Sequence, residues 1–151
     1  MIEVRKVLAY VTHGNRLLVF KHPESPEAGI QVPGGTVEPD EQLDVAALRE
    51  ATEETGLLNL RLGAFLGDIH LDQSNIGLDE IHHRHFYHVY CDDAPAESWR
   101  HYEYTASDRP AGHEPIPFDF YWVNLPDDVP SLCPGHDAFI PQLIAHLGSL
   151  H

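Results

Sequence analysis

The order of strand-like and helix-like segments predicts an α/β fold, an α/β/α sandwich in which helices cover both faces of a mixed β-sheet. Several segments rich in β-branched and aromatic residues have the composition of strands. One helical segment follows Pro39, and a second occupies residues 136–147 near the carboxyl end. The chain has 151 residues, enough to bury a hydrophobic core, so we expect a single domain over residues 1–151.

The amino-terminal part of the chain predicts a β-hairpin followed by a short strand. Residues 3–12 and 16–21 are strand-like and flank a short turn that contains glycine and asparagine. Residues 30–32 predict a third strand, which runs into Gly34 and Gly35. Paired glycines form an ordinary turn or let the backbone approach a ligand closely, and both interpretations stay open at this stage.

The second half of the chain predicts three more strands, over residues 58–71, 81–91 and 118–125. Residues 92–116 lack a regular pattern and form a long insertion, which either carries aromatic side chains to a substrate or covers the sheet. These aromatic residues are Trp99, Tyr102 and Tyr104. One side of the final helix carries an apolar stripe, which we expect to contact the core. The stripe consists of Phe139, Leu143, Ile144 and Leu147.

The net charge of −15 argues against binding to a nucleic-acid polymer, which requires clustered lysine and arginine. A protein this acidic handles phosphates through a bound cation and a few local bases. No apolar run approaches the roughly 20 residues that cross a membrane, and the amino terminus lacks a signal-peptide core. Cys91 and Cys133 lie far apart in sequence, so we expect a cytoplasmic protein with free thiols, although one disulfide is also compatible.

The boundaries of the first helix follow from its flanking residues. Asp40 is a suitable N-cap, and Gly56 supplies the left-handed residue at which helices commonly end. Val45, Leu48 and Thr52 share one side, so we expect this side to face the core.

Three glutamates dominate the same helix. Glu50, Glu53 and Glu54 stand at positions i, i+3 and i+4, so they share one face within an arc of roughly 100°. Clustered carboxylates repel one another, and Arg49 is the only cation of the helix. They form either a solvated acidic face or a divalent-metal site, and all-oxygen ligation suits Mg²⁺ or Mn²⁺.

The stretch from Gly35 to Leu57 resembles the Nudix box at every fixed position, with Ala51 where the family prefers a larger aliphatic residue. The preceding Pro33–Gly34 resembles the usual entry to the box. The resemblance implies a Nudix-type α/β/α sandwich with a mixed sheet. The matching positions are Gly35, Glu41, Arg49, Glu50, Glu53, Glu54, Gly56 and Leu57.

The resemblance also implies hydrolysis of a pyrophosphate bond in a nucleoside diphosphate linked to another moiety. In this pattern Glu50 and Glu54 are expected to bind Mg²⁺ or Mn²⁺, and Glu53 is either a third ligand or the catalytic base. Glu41 is expected to support the metal shell or Arg49. Arg49 is expected to orient the carboxylates as an ion pair rather than touch the substrate. Gly34 and Gly35 would support the site.

The catalytic base and the residues that contact the substrate are left open by the sequence. In the Nudix family the base is a box glutamate or one from a distant loop, and the loop candidates are Glu97, Glu103 and Glu114. Further candidates for substrate contacts come from strand ends and from the insertion. They are Arg16, Lys21, His22, Glu103 and Glu114.

The strand over residues 81–91 is rich in histidine. His83 and His85 share one face of this strand, and His82 and His88 share the other. Such a strand binds Zn²⁺, forms a half-exposed face or lines a ligand site, and no third zinc ligand stands at a suitable sequence spacing.

Three functional hypotheses follow. The favoured hypothesis is the metal-dependent pyrophosphohydrolase. The others are a non-catalytic domain that senses a nucleotide, and an isomerase or glycosylase on the same scaffold. Candidate substrates are small phosphorylated nucleotides: dinucleoside polyphosphates, ADP-ribose or other nucleotide sugars, oxidised nucleoside triphosphates and coenzymes. A homodimer is also expected from the resemblance.

Overall fold

The computed structural model describes residues 1–103 and 114–149. These residues form seven strands, two α-helices and two short 3-10 turns. The strands are β1 (Ile2–His13), β2 (Arg16–Lys21), β3 (Gly34–Thr36), β4 (Arg61–Asp72), β5 (Glu80–Tyr90), β6 (Ser98–Glu103) and β7 (Ile116–Asn124). The helices are α1 (Leu43–Thr55) and α2 (Ile140–Gly148).

The strands form one mixed sheet in the order β4-β5-β1-β2-β7-β6, and β3 pairs with β1. β1 and β5 run parallel, from Ile2 opposite Glu80 to Thr12 opposite Tyr90. The other strand pairs are antiparallel, including the predicted hairpin of β1 and β2. Helices pack on both faces, which confirms the predicted α/β/α sandwich with a mixed sheet.

Helix α1 packs on one face of the sheet through alanines. Ala46 and Ala47 contact the cluster that contains Val7 and Tyr87, and Ala51 packs in a neighbouring cluster. Ala51 is fully buried, so the small residue in the box allows the helix to lie close to the strands.

Helix α2 covers the opposite face. Leu143 and Leu147 pack with Leu8, Tyr10 and Phe86. Along β1, Leu8 and Tyr10 alternate with the side chains that face α1. The predicted core stripe of the final helix is therefore confirmed, although the helix begins at Ile140 rather than at residue 136.

Two predictions about α1 are wrong. The helix begins at Leu43 with Gln42 as its N-cap, and Asp40 instead adopts a left-handed conformation with φ of 65°. This conformation belongs to a turn in which the Glu41 N–H donates to the Glu38 carbonyl at 3.1 Å. Val45, predicted to face the core with Leu48 and Thr52, is 54% exposed, because the inward face of the helix follows the alanines and Glu54. Leu48 does pack against the core. The predicted end of the helix at Gly56 is confirmed.

Two strand predictions also need correction. Residues 30–32 make single bridges to Phe20 and Leu132, and the strand lies at Gly34–Thr36 instead. The predicted insertion over residues 92–116 contains the edge strand β6 (Ser98–Glu103), which is half exposed and so lacks the apolar alternation of an inner strand.

Of the aromatic side chains of that insertion, Trp99 covers the sheet. Trp99 stacks on Phe120 with 5.4 Å between ring centroids, and its indole N–H donates to the Thr55 carbonyl at 2.8 Å. Tyr102 is 40% exposed. Tyr104 lies outside the described residues.

Both cysteines are free thiols, as expected. Within residues 1–103 and 114–149, no helix is long and apolar enough to span a membrane. The cytoplasmic location and the homodimer stay predictions.

Candidate active site

A cleft of about 710 Å³ opens where β2 and β3 separate along β1. β1 pairs with β3 from Lys6 to Leu8, and it pairs with β2 at Thr12 and His13. The helix α1 closes one end of the cleft with its glutamates. Polar lining residues include Lys6, His22, Gln31, Arg49, Glu50, Glu53, Glu54, His82, Arg84, Glu103 and His136, and apolar ones include Phe20, Ile116 and Phe118.

Arg49 connects the carboxylates at the mouth of the cleft. Its Nε and Nη2 donate to the two oxygens of Glu41 at 2.6 and 2.7 Å, a bidentate pair. Its Nη1 donates to Glu50 at 3.0 Å and to Glu53 at 3.2 Å. Glu41 also accepts the Glu38 N–H at 3.0 Å. The guanidinium therefore holds three carboxylates in place at once, and hydrogen bonding to Arg49 lowers the pKa of Glu41 to about 2.

Gly35 makes room for one of these carboxylates. A Cβ atom on Gly35 would collide with the carboxylate of Glu50, and one on Gly34 would collide with the Val7 carbonyl. The two glycines are part of the strand β3 rather than a free turn. The pair is therefore not an ordinary turn, and the close approach at Gly35 is to the side chain of Glu50. The predicted approach to a ligand stays a prediction.

Glu54 points inward from α1 and is only 8% exposed. Burial raises its pKa well above the usual range, the carboxylates of Glu103 and Glu50 add to this, and the Gly34 N–H opposes it. Burial likewise raises the pKa of Glu50 to about 7, against the opposing effect of Arg49. Glu54 is buried, Glu50 is half-buried, and each lies near other carboxylates. A bound cation would therefore stabilise their charged forms.

Glu53 lies on the outer side of the same cleft. Its side chain is 49% exposed and reaches Arg49. Among the described residues, two groups of three metal-ligand side chains have their ligand atoms within 4.8 Å of one another. Both groups lie elsewhere on the sheet. The three helix glutamates therefore line one cleft without forming so tight a group.

The remaining sequence candidates divide clearly between the cleft and the surface. Glu103 and His22 line the cleft. Arg16 instead pairs with Glu97 at 2.7 Å on the outer surface, and the ammonium of Lys21 lies 5.3 Å from the ring centroid of Tyr121.

Glu114, the last of these candidates, is exposed and does not line the cleft.

Sequence reasoning missed two cations in the cleft. Lys6 and Arg84 face each other directly across the β1–β5 pair, on the face opposite the α1 alanines. Lys6 donates to the Thr36 hydroxyl at 2.7 Å, and Arg84 donates to the Pro134 carbonyl at 2.8 Å. Burial lowers the pKa of Arg84. The signal in the sequence was weak, because Lys6 follows Arg5 near the start of its strand and Arg84 stands among histidines.

Two cleft histidines also stand out by their hydrogen bonding. The Nδ1 atom of His22 is buried and makes no hydrogen bond among the described residues, although its ring packs edge-on against Phe118 at 4.8 Å. His136 accepts the Val32 N–H at 3.1 Å. It reaches the cleft from the segment before α2, which explains why sequence spacing gave no sign of it.

The fold of this chain is similar to the folds of several solved structures. The MutT NUDIX hydrolase from Burkholderia pseudomallei is 21% identical with a TM-score of 0.63, and the match covers 95% of this chain and 98% of that one. UDP-X diphosphatase is 14% identical with a TM-score of 0.65, covering 100% of this chain and 66% of that one.

A third solved structure is a bifunctional NMN adenylyltransferase/ADP ribose pyrophosphatase from Francisella tularensis, complexed with AMP and Mn ion. It is 22% identical with a TM-score of 0.52, and the match covers 98% of this chain and 42% of that one. Comparison with curated proteins gives no match.

These similarities define the class of protein as an α/β protein with the Nudix fold. A family model described as the NUDIX domain matches residues 3–143. The chain belongs to the NUDIX family of hydrolases.

Proposed function

We propose that this protein hydrolyses a pyrophosphate bond in a nucleoside diphosphate linked to another moiety, and that it requires Mg²⁺ or Mn²⁺. The observation that carries the proposal is the burial of Glu50 and Glu54 beside Glu103 in a cleft that also contains Lys6 and Arg84. The names of UDP-X diphosphatase and of the ADP ribose pyrophosphatase with its Mn ion agree with this chemistry.

The donor set fits a hard divalent cation. Glu50, Glu53 and Glu54 offer only oxygen atoms, which Mg²⁺ and Mn²⁺ prefer. Burial of Glu50 and Glu54 without a cation disfavours their charged forms, so binding of a cation would remove an unfavourable interaction that the fold itself creates. When bound, the ion would supply charge neutralisation for the pyrophosphate and polarise its phosphoryl oxygens.

The chain's own residues would position the phosphates. Lys6 and Arg84 lie side by side on one face of the sheet, so they place two positive charges in the cleft. These side chains are suited to bind the non-bridging oxygens, while Arg49 stays engaged with its three carboxylates. Positioning and charge stabilisation are the main contributions in phosphoryl transfer.

Glu103 is the proposed general base. Of the loop candidates Glu97, Glu103 and Glu114, it is the one that lines the cleft, and its carboxylate acts on the pKa of both Glu50 and Glu54. A carboxylate at this position can accept a proton from the attacking water. Glu53 would then act as a metal ligand or as support for Arg49.

The other end of the cleft is suited to a nucleoside. Phe20, Ile116 and Phe118 provide an apolar wall, and aromatic rings are well suited to packing against a base. The buried Nδ1 of His22 beside Phe118 offers a hydrogen bond to a polar group of the ligand.

A Mg²⁺-dependent screen tests the proposal. The substrates are dinucleoside polyphosphates, ADP-ribose and other nucleotide sugars, oxidised nucleoside triphosphates and coenzymes, with release of phosphate or nucleoside monophosphate as the readout. We expect turnover of at least one class, dependent on Mg²⁺ or Mn²⁺. The proposal is wrong if no class is turned over, or if turnover persists in excess chelator or is unchanged in Glu54→Gln.

A further inference from the structure

A second cluster of ligand-type side chains lies on the face of the sheet opposite the one from which Lys6 and Arg84 project. His83 and His85 of β5 share this face, as the alternation along the strand predicted. Asp68 of β4 pairs directly with His85, and His70 of β4 pairs directly with His83. With Glu3 of β1, these residues form what we call the histidine patch.

The contacts within the histidine patch are short. Asp68 Oδ2 lies 2.6 Å from His83 Nε2, and Glu3 Oε1 lies 3.0 Å from His83 Nδ1. The ring centroids of His83 and His85 are 4.0 Å apart. One donor atom from each of Asp68, His83 and His85 lies within 4.8 Å of the others, so the third ligand that sequence spacing did not supply comes from the neighbouring strand.

His85 provides an independent sign that a ligand belongs here. The residue is only 6% exposed, and its Nε2 is buried and has no hydrogen-bond partner among the described residues. A buried polar atom without a partner is unfavourable, and native proteins contain few of them. The ring places a nitrogen within 4.8 Å of an oxygen of the Asp68 carboxylate.

We propose that Asp68, His83 and His85 form a binding site for Zn²⁺, separate from the Mg²⁺ or Mn²⁺ site proposed in the cleft. Two imidazoles and one carboxylate are a donor set that zinc accepts with an open fourth position, whereas Mg²⁺ prefers oxygen ligands alone. The chemistry of the donors therefore assigns a different metal to each of the two sites.

The contact between Asp68 and His83 must lengthen to admit the ion. Tetrahedral zinc with bonds of about 2.0 Å places two ligand atoms about 3.3 Å apart. The present distance between Asp68 Oδ2 and His83 Nε2 is 2.6 Å, so one of these side chains must move outward. Asp68 can do so because its side chain is 45% exposed.

Glu3 acts as a positioning residue in this proposal. Its carboxylate accepts a hydrogen bond from Nδ1 of His83, which leaves Nε2 of the same ring to bind the metal. Arg5 lies beside His83 in the β1–β5 pair and opposes a cation. However, its guanidinium donates to the Glu38 carbonyl at 3.3 Å, and the patch contains two carboxylates.

The histidine patch shares no residue with the cleft lining. The inference therefore does not depend on the proposed hydrolase activity, and either can fail without the other.

Zinc titration of the untagged full-length chain by calorimetry, in excess Mg²⁺, tests the site. The variants are Asp68→Asn and His83→Gln, and the matched control is His82→Gln, on the same strand but the opposite face. We expect one equivalent of zinc to bind the wild type and His82→Gln, with affinity reduced about a hundredfold or more in the other two variants. Glu3→Gln should weaken binding about tenfold, as loss of an outer partner does.

A spectroscopic readout distinguishes this site from the glutamates. Cu²⁺ loaded in place of zinc should show nitrogen hyperfine coupling by electron paramagnetic resonance, because an all-oxygen site cannot produce it. The coupling should be lost in His83→Gln and retained in His82→Gln. Asp68 is exposed, so Asp68→Asn keeps the test valid if His83→Gln fails to fold. Zinc affinity unchanged in Asp68→Asn, or no nitrogen coupling in the wild type, would overturn the proposal.

Discussion

The α-carbon of Gly35 lies against the carboxylate of Glu50, with no space between them for a Cβ atom. The first glycine of the box is thus a packing partner of a glutamate that lies 15 residues later. The absence of a side chain at Gly35 is what allows β3 and the glutamate of α1 to approach so closely at the cleft.

Gly35→Ala should displace the Glu50 carboxylate while leaving the fold intact, because the colliding atoms are the flexible end of a side chain. Since a displacement of about 1 Å in a reacting group can reduce turnover about a hundredfold, we expect a loss of this order. Steady-state turnover and circular dichroism measure the two effects. Gly148→Ala is the control, as its added Cβ would meet no atom within 4 Å. Full activity of Gly35→Ala would contradict this account.

Glu54→Gln should abolish most turnover without loss of stability. Because Glu54 is buried and its pKa is raised well above the usual range, a neutral amide of the same shape is tolerated at this position. We expect turnover to fall on the order of a hundredfold or more, while the urea midpoint stays the same or rises. Glu53→Gln should lower turnover to a similar extent with the fold intact. Wild-type rates in either variant would remove that residue from the mechanism.

Arg49→Lys should weaken metal binding, because a lysine cannot donate to both oxygens of Glu41 and also reach Glu50 and Glu53. We expect the Mg²⁺ concentration for half-maximal activity to rise by about 10–100-fold. Arg100→Lys is a matched control, since Arg100 makes a bidentate pair with Asp119 outside the cleft. Equal Mg²⁺ dependence in Arg49→Lys and Arg100→Lys would show that the ion-pair network has no role in metal binding.

Glu103→Gln tests the proposed base. Loss of a general base typically lowers turnover by about 10²–10⁴-fold, and the acidic limb of the pH–rate profile should change as well. The control is Glu97→Gln, another loop glutamate, which pairs with Arg16 on the outer surface. An unchanged pH–rate profile in Glu103→Gln would assign the base to another residue.

His136 should contribute to the pH dependence of the protein's stability in mild acid. Burial lowers the pKa of His136 to about 4, and the charge of Arg84 adds to this. Between its ordinary pKa of 6.5 and this value, the unfolded chain binds a proton that the folded chain does not, so stability is lost as the pH falls through this window. The loss from His136 alone should reach about 2 kcal/mol at pH 5. It opposes the gain expected from Glu50 and Glu54, whose raised pKa values favour the folded state as the pH falls.

His136→Asn should remove that pH dependence, because an asparagine carbonyl can still accept the Val32 N–H and does not titrate. Urea unfolding at pH 8 and pH 5 measures the difference. At pH 8 both side chains are neutral, so the comparison there reports packing alone. If stability changes by the same amount between pH 8 and pH 5 in the variant and in the wild type, His136 does not contribute to the pH dependence.

Much of the cleft's acidic side followed from local sequence. The spacing of Glu50, Glu53 and Glu54 places them together on any α-helix, and the family pattern adds Arg49 and Gly35. The start of α1 did not follow, because a capping-type residue such as Asp40 also suits a left-handed turn position. The edge strand β6 was missed because a half-exposed strand does not need an apolar face.

The sequence by itself determined the class of the fold, the acidic helix and the shared face of His83 and His85, since all three depend on the short-range periods of helix and strand. Only the tertiary structure decided which residues meet. The pairing of β1 with β5 places Lys6 beside Arg84, and the pairing of β4 with β5 places Asp68 beside His85. A shift of one residue in either register would move these side chains to the opposite face, and no local pattern records that choice.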